Sequence, residues 1–221
     1  MTKSFNTKFR SLKIRATLSV LGTLSAACAL VACGTKTADD VSQAGKNIAG
    51  EPGLQGKWTS SCGKVEALKT SGKSTYIFEP LKYEKNLMFY KDANCSEAMG
   101  NAKYKGEYKI GSGDDLEGGA KRIDLIPKTL TMSANTQAGV DALNLIKFCG
   151  ISDWALNQER DVTNSANGGK CLIENMNESQ YDIFTLNSDK LTFGSTFLFG
   201  APTKEENRPK KVGSQTLVPA Q

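Results

Sequence analysis

The sequence predicts a mainly β fold, an antiparallel barrel or half-barrel of seven to nine strands that carries one α-helix. Three observations lead there. Apolar and polar residues alternate with a period of two along most of the chain between about residues 54 and 200. Clusters of glycine, asparagine, aspartate and serine cut that alternation into short runs. A single segment, residues 135–149, changes to spacings of three and four.

The first fifteen residues hold Lys3, Lys8, Arg10, Lys13 and Arg15 and no acid, and an apolar run over residues 16–32 follows. This is the layout of an export signal. The run falls short of the ~20 residues that span a bilayer core and ends in small residues, so a retained membrane helix is the weaker reading. Leu30-Val31-Ala32-Cys33-Gly34 resembles the lipobox of bacterial lipoproteins, in which a branched apolar residue and two small ones precede an obligatory cysteine. The other candidate, Ser25-Ala26-Ala27-Cys28, has a polar residue where the branched one belongs. The resemblance implies that residues 1–32 are a signal peptide, removed after Cys33 receives a diacylglycerol, and that the new amino end is acylated with a palmitate-type chain. Each buried methylene contributes about 0.8 kcal/mol, so two or three chains make release from the membrane negligible. Gly34 stands where an aspartate would favour the inner membrane, which points to the outer membrane of a bacterial envelope, facing the periplasm or the surface.

Residues 33–53 are small, polar or charged and read as an acylated flexible tether, roughly 25 Å long as a coil. Residues 54–203 form the expected barrel domain. Within it Lys103-Tyr104-Lys105-Gly106-Glu107-Tyr108-Lys109-Ile110 sets Tyr104, Tyr108 and Ile110 on one face and the charged residues on the other. Shorter runs of this kind cover residues 54–62, 74–80, 86–92, 121–132, 181–186, 190–194 and 196–199, with turns expected at Ser71-Gly72, residues 111–115, Gly118-Gly119 and residues 187–189. In the helix, Ala138, Ala142, Leu145, Ile146 and Cys149 form the expected apolar stripe, Ser133 or Asn135 the cap, and Gly150 the stop. Residues 153–169 read as a long polar surface loop on which Trp154 is more naturally a pin to the barrel than an exposed contact. Residues 204–221, rich in Lys, Glu, Pro and Gly, read as a polar C-terminal tail.

Without residues 1–32 the chain has 28 − 5 = 23 basic and 23 acidic side chains, so it is formally neutral. No basic stripe of the kind that phosphate backbones require is present, and nucleic acid is not expected as a partner. There is no histidine, which removes Ser-His-Asp, Cys-His and His-ligated metal chemistry. With no cofactor fingerprint or phosphate loop either, neither an enzyme nor a cofactor or metal is expected. Cys62, Cys95, Cys149 and Cys171 remain once Cys28 is cut off and Cys33 acylated. In an exported chain they imply two disulfides, of three possible pairings; the nearest-neighbour pairing Cys62–Cys95 and Cys149–Cys171 is favoured because it closes modest loops. Asp114, Asp115 and Glu117 sit in a glycine-rich turn and read as solvated acids.

Gly56-Lys57-Trp58 resembles the Gly-x-Trp that opens the barrel of lipocalins, where the indole closes one end and a late arginine often lies across it; Arg208 is the late arginine here. The longer pattern Gly56-x-Trp58-x-x-x-Cys62, Tyr90-x-Asp92-x-x-Cys95, Gly106-x-Tyr108 resembles the extracellular barrel domains of the adenomatosis-polyposis-coli-down-regulated family over residues 54–110. The resemblance implies a lipocalin-like barrel whose interior accepts an acyl chain, a lipid or another small apolar or amphiphilic molecule. Trp58, Tyr76, Phe78, Phe89, Tyr104, Tyr108 and Phe193 are the candidate lining of such a site, and equally the candidate filling of a solid core. The expectation is thus a membrane-anchored binding module; the alternative is a non-enzymatic envelope scaffold with a filled core and a protein partner on its outer surface.

Overall fold

The computed structural model describes residues 51–65, 69–166, 171, 176–195 and 201–220. The export signal, Cys33, most of the tether, the end of the long loop and the strand expected at 196–199 lie outside them. In chain order the elements are β1 (Gly56–Ser60), β2 (Gly63–Val65), β3 (Thr70–Glu79), β4 (Lys82–Tyr90), β5 (Ala98–Gly111), β6 (Lys121–Ala134), α1 (Gln137–Leu145), β7 (Arg160–Asp161), α2 (Thr163–Ala166), β8 (Gln180–Asn187), β9 (Lys190–Phe193) and β10 (Thr216–Pro219).

Eight strands close a barrel. β3, β4, β5, β6, β8, β9 and β10 each pair antiparallel with the next, and β1 pairs with both β10 and β3. β2 pairs alongside β3, and β7 makes a short pairing on β6. Closure follows from β1 having two partners: a sheet with no free edge leaves no unpaired row of backbone donors. The alternation that marked these strands is the pleat of such a barrel, with Tyr76 and Phe78 inward on β3, Tyr83 and Leu87 on β4, and Tyr104 and Tyr108 on β5.

Two positions explain why glycine stands in the motifs. Gly56 has φ +120°, a conformation closed to other residues, and it turns the chain from the Pro52–Leu54 turn into β1. Trp58 then reaches back, its indole N–H donating to the Leu54 carbonyl at 2.8 Å. Gly106 faces a bulge in β6, where Lys105 pairs with Thr129 but Gly106 with Pro127. A Cβ there would lie 2.3 Å from the Ile126 carbonyl oxygen.

Three expectations are corrected. Residues 204–221 are not merely a tail, because Thr216–Pro219 is the strand that closes the barrel, with Leu217 buried between β1 and β9. Four residues are too few for alternation to be visible. Ser71-Gly72 is no turn, since both lie inside β3, paired with Tyr90 and Phe89. The helix is shorter than expected and presents another face. Thr136 caps it, accepting from the Gly139 N–H at 3.1 Å, and Val140 and Leu143 meet the barrel. Leu145 is 85% exposed and Ile146 66%. The cause lies just beyond: Lys147 and Cys149 take left-handed φ values of 48° and 57°, which reverse the chain and return Cys149 to the core.

Candidate functional site

The barrel has a base, where the chain enters at Glu51 and where Gly56 pairs with Phe78 and Gly111 with Arg122. Its far end is where Gly100 pairs with Ala134 and Ser71 with Tyr90. A cluster fills the base half: Leu54, Trp58, Tyr76, Phe78, Tyr83, Tyr108, Phe184 and Phe193 are among its buried members. A second fills the far half, joining Leu87, Tyr104 and Leu130 of the barrel to Val140, Trp154, Val162 and Met176 of the segment between β6 and β8.

The candidate lining residues fall into these clusters. Trp58, Tyr76, Phe78, Tyr108 and Phe193 lie together in the base cluster, Tyr104 lies in the far one, and Phe89 packs against it partly buried. They touch one another. The Tyr76 and Phe78 rings stack at 5.8 Å, Tyr76 and Phe193 sit 5.1 Å apart, and Tyr108 meets Phe78 edge-on at 5.3 Å.

Between the clusters the interior turns polar, which the sequence reading missed. Lys85 is 4% exposed, its ammonium 5.9 Å from the Tyr76 ring and 5.3 Å from the Tyr104 ring. Across the barrel Asp182 and Gln180 are buried as well. The Asp182 carboxylate accepts from the Ile183 N–H at 2.8 Å and the Ser195 N–H at 2.9 Å. Burial pushes its pKa up to about 6, against those two donors and the Lys85 ammonium. The signal was present: Tyr83-x-Lys85-x-Leu87 and Gln180-x-Asp182-x-Phe184 put polar residues in the inward phase of two strands. The space lined by Ser74, Lys85, Gln180, Asp182 and Ser195 is about 20 Å³, enough for a water molecule.

Arg208, the late arginine, does not lie on Trp58. Its guanidinium sits 5.0 Å from the Tyr181 ring, donates to the carbonyls of Ile123 and Asp182 at 3.2 and 2.6 Å, and pairs with Asp124 and Glu205 at 2.6 and 2.5 Å. It therefore straps the chain across the β6–β8 pairing on its way to β10.

The cysteines pair as Cys62–Cys95 and Cys149–Cys171. The Tyr90-x-Asp92-x-x-Cys95 motif has a local structural meaning. Asp92 accepts from the N–H groups of Asn94, Ser96 and Glu97 at 2.7–3.2 Å, and the Glu97 N–H foremost holds its carboxyl below the ordinary range. That turn presents Cys95, at φ +55°, to Cys62. Over the far end, Trp154 is 3% exposed and locked to α1, exchanging 3.0 and 2.7 Å hydrogen bonds with the Asn144 side chain. The tryptophan pins the loop to the barrel.

A second space lies outside the interior, at the base. A groove of about 1120 Å³ is lined by Leu81, Tyr108 and Ile110 together with the charged Lys82, Glu107, Lys109, Asp114, Lys121 and Asp124. Tyr108 is 2% exposed with its hydroxyl buried, and burial pushes the phenol pKa up against a hydrogen bond from the Leu81 backbone. Glu51 also lines the groove, ion-paired with Lys121 at 2.6 Å.

Among the described residues no group of three or more His, Cys, Asp or Glu side chains is placed to hold a metal, and no helix is long and apolar enough to cross a membrane. No protein-family model matches the chain, and no curated protein matches it.

Proposed function

We propose that the chain is a non-enzymatic lipoprotein of the bacterial cell envelope, anchored through acylated Cys33, whose barrel is a filled scaffold that presents its far end to another envelope protein. The filled interior carries this reading. An apolar ligand held inside the barrel calls for several hundred Å³. The space found among the described interior residues is about 20 Å³, lined by Tyr76, Leu125 and Phe193 as well as by Lys85, Gln180 and Asp182. What is elaborated instead is the outside of the far end. The segment from α1 through α2 packs on the core, is bridged by Cys149–Cys171, and leaves Leu145 and Ile146 exposed side by side.

Two experiments test the two halves of the proposal. Metabolic palmitate labelling is expected to mark the wild type and leave Cys33→Ala unlabelled; equal labelling overturns the anchor. A photo-crosslinking residue at position 145, compared with one at the exposed Val218 of β10, is expected to give a dominant protein adduct in native envelopes only at 145. Equal adducts, or none at 145, overturn the scaffold reading.

A further inference from the structure

We infer that the outward face of α1 pairs with α1 of a second copy of this chain, the two helices lying antiparallel across a two-fold axis near Ala142. The contact names the partner in the scaffold reading and rests on that reading: the protein met at the far end is a like chain.

The face is apolar where a helix covered on one side only would be polar. Val140 and Leu143 meet the barrel, and at about 100° per residue the opposite side carries Ala138, Ala142 and Leu145, all three exposed. Ile146 closes that stripe, 66% exposed beside Leu145 at 85%. Apolar residues thus recur at helical spacing on two sides of α1, and the barrel covers only one of them.

Shape points to a helix as the occupant. Ala138 and Ala142 leave a groove one turn long beside the ridge made by Leu145 and Ile146. With a two-fold axis through Ala142, Leu145 of each chain falls opposite the gap between Ala138 and Ala142 of the other, and Ile146 falls opposite Ala138. The surface is its own complement, as a contact between identical patches requires.

Charge sets the direction. Asp141 flanks the stripe and Lys147 follows its end, both exposed. Among the described residues neither is in an ion pair. In the antiparallel register each Lys147 comes level with a point about 6 Å along the axis from Asp141 of the other chain, a gap that a lysine side chain spans. A parallel pair would instead set Asp141 against Asp141. Antiparallel packing also brings the opposite ends of the two helix dipoles together. A lipid surface fits less well, because helices that lie in one carry Lys and Arg on the polar side, and Gln137–Leu145 contains neither.

Two nine-residue helices bury less than a free-standing dimer needs. The contact therefore belongs in the envelope, where the anchor proposed above concentrates two chains on one membrane.

The test places a photo-crosslinking residue at position 145 in cells that make two differently tagged copies of the full chain. An adduct carrying both tags is expected. Ala142→Glu, which sets two carboxylates face to face at the axis, should abolish it. Asp141→Lys and Lys147→Asp should each lower its yield about fivefold, and the two together should restore it. Aspartate tolerates the left-handed backbone at 147, and thermal melting of each purified variant checks that it is folded. An adduct at 145 to a different protein alone overturns this pairing and leaves the scaffold reading standing; no adduct at 145 overturns both. A two-tag adduct that is indifferent to Ala142→Glu, or that the double charge reversal does not restore, also overturns the pairing.

Discussion

Asp182 shows how a single inward residue ties stability to pH. Its carboxyl titrates at about 6 in the folded chain against an ordinary 3.8, so the folded state binds its proton more tightly than the unfolded state does. The associated stability is fully present below the ordinary value and is lost as pH rises through about 6. Over that window the loss amounts to about 3 kcal/mol. Asp182→Asn keeps an oxygen for the Ile183 and Ser195 donors and has no charge to bury. Urea titrations between pH 4 and 7 should show a flattened slope, with the variant about 1–3 kcal/mol more stable than wild type at pH 7. An unchanged slope would mean that Lys85 fully offsets the burial. Gly106 is the opposite case, a residue fixed by space. Gly106→Ala puts a methyl group against the Ile126 carbonyl, which cannot move without opening the β5–β6 pairing, and against the Tyr83 ring, which is packed in the base cluster. A loss of about 2–4 kcal/mol is expected in denaturant unfolding. Both motif glycines and Trp58 were legible as landmarks; their reasons, a left-handed φ and a bulged neighbour, were not.

At the scale of elements, the strap and the staple make separable predictions. Arg208 satisfies two barrel carbonyls and two carboxylates while only 8% of its side chain is exposed. Arg208→Met leaves Asp124 without its partner and should cost about 3–5 kcal/mol. Amide exchange should speed up first in β10 and β9, the strands that the strap delivers and neighbours. The Cys149–Cys171 bridge closes a span of 22 residues around the far-end cover. Cys149→Ser with Cys171→Ser should cost about 2–4 kcal/mol. The near-ultraviolet signal of Trp154 should fall while the pairings of β1, β3 and β10 keep their exchange protection. α1 illustrates the limit of periodicity. Ala138, Ala142, Leu145 and Ile146 do recur at helical spacing, yet the barrel contacts fall on Val140 and Leu143. The Asn144–Trp154 hydrogen bonds and the reversal at Lys147 fix the rotation of the helix, and neither is a hydrophobic signal.

Across the whole molecule, two filled halves and a polar middle make a solid barrel with distinct ends. One end is covered by the bridged segment between β6 and β8; the other is a charged rim around an open groove. The proposed protein contact at the far end follows from that polarity. It could not be placed by a reading in which every inward aromatic is a possible ligand contact, because filling and lining produce the same alternation.

The sequence by itself determined the β class, the main strands and the single long helix, each written in local periodicity or turn chemistry; it favoured one of three disulfide pairings, which the structure then showed. Closure of the barrel was decided only in three dimensions, by a four-residue strand, Thr216–Pro219, that meets β1 some 160 residues earlier in the chain. So were the burial of Lys85 and Asp182 and the shape of the basal groove. These depend on which distant side chains share one volume, and no local pattern along a chain records how that volume is filled.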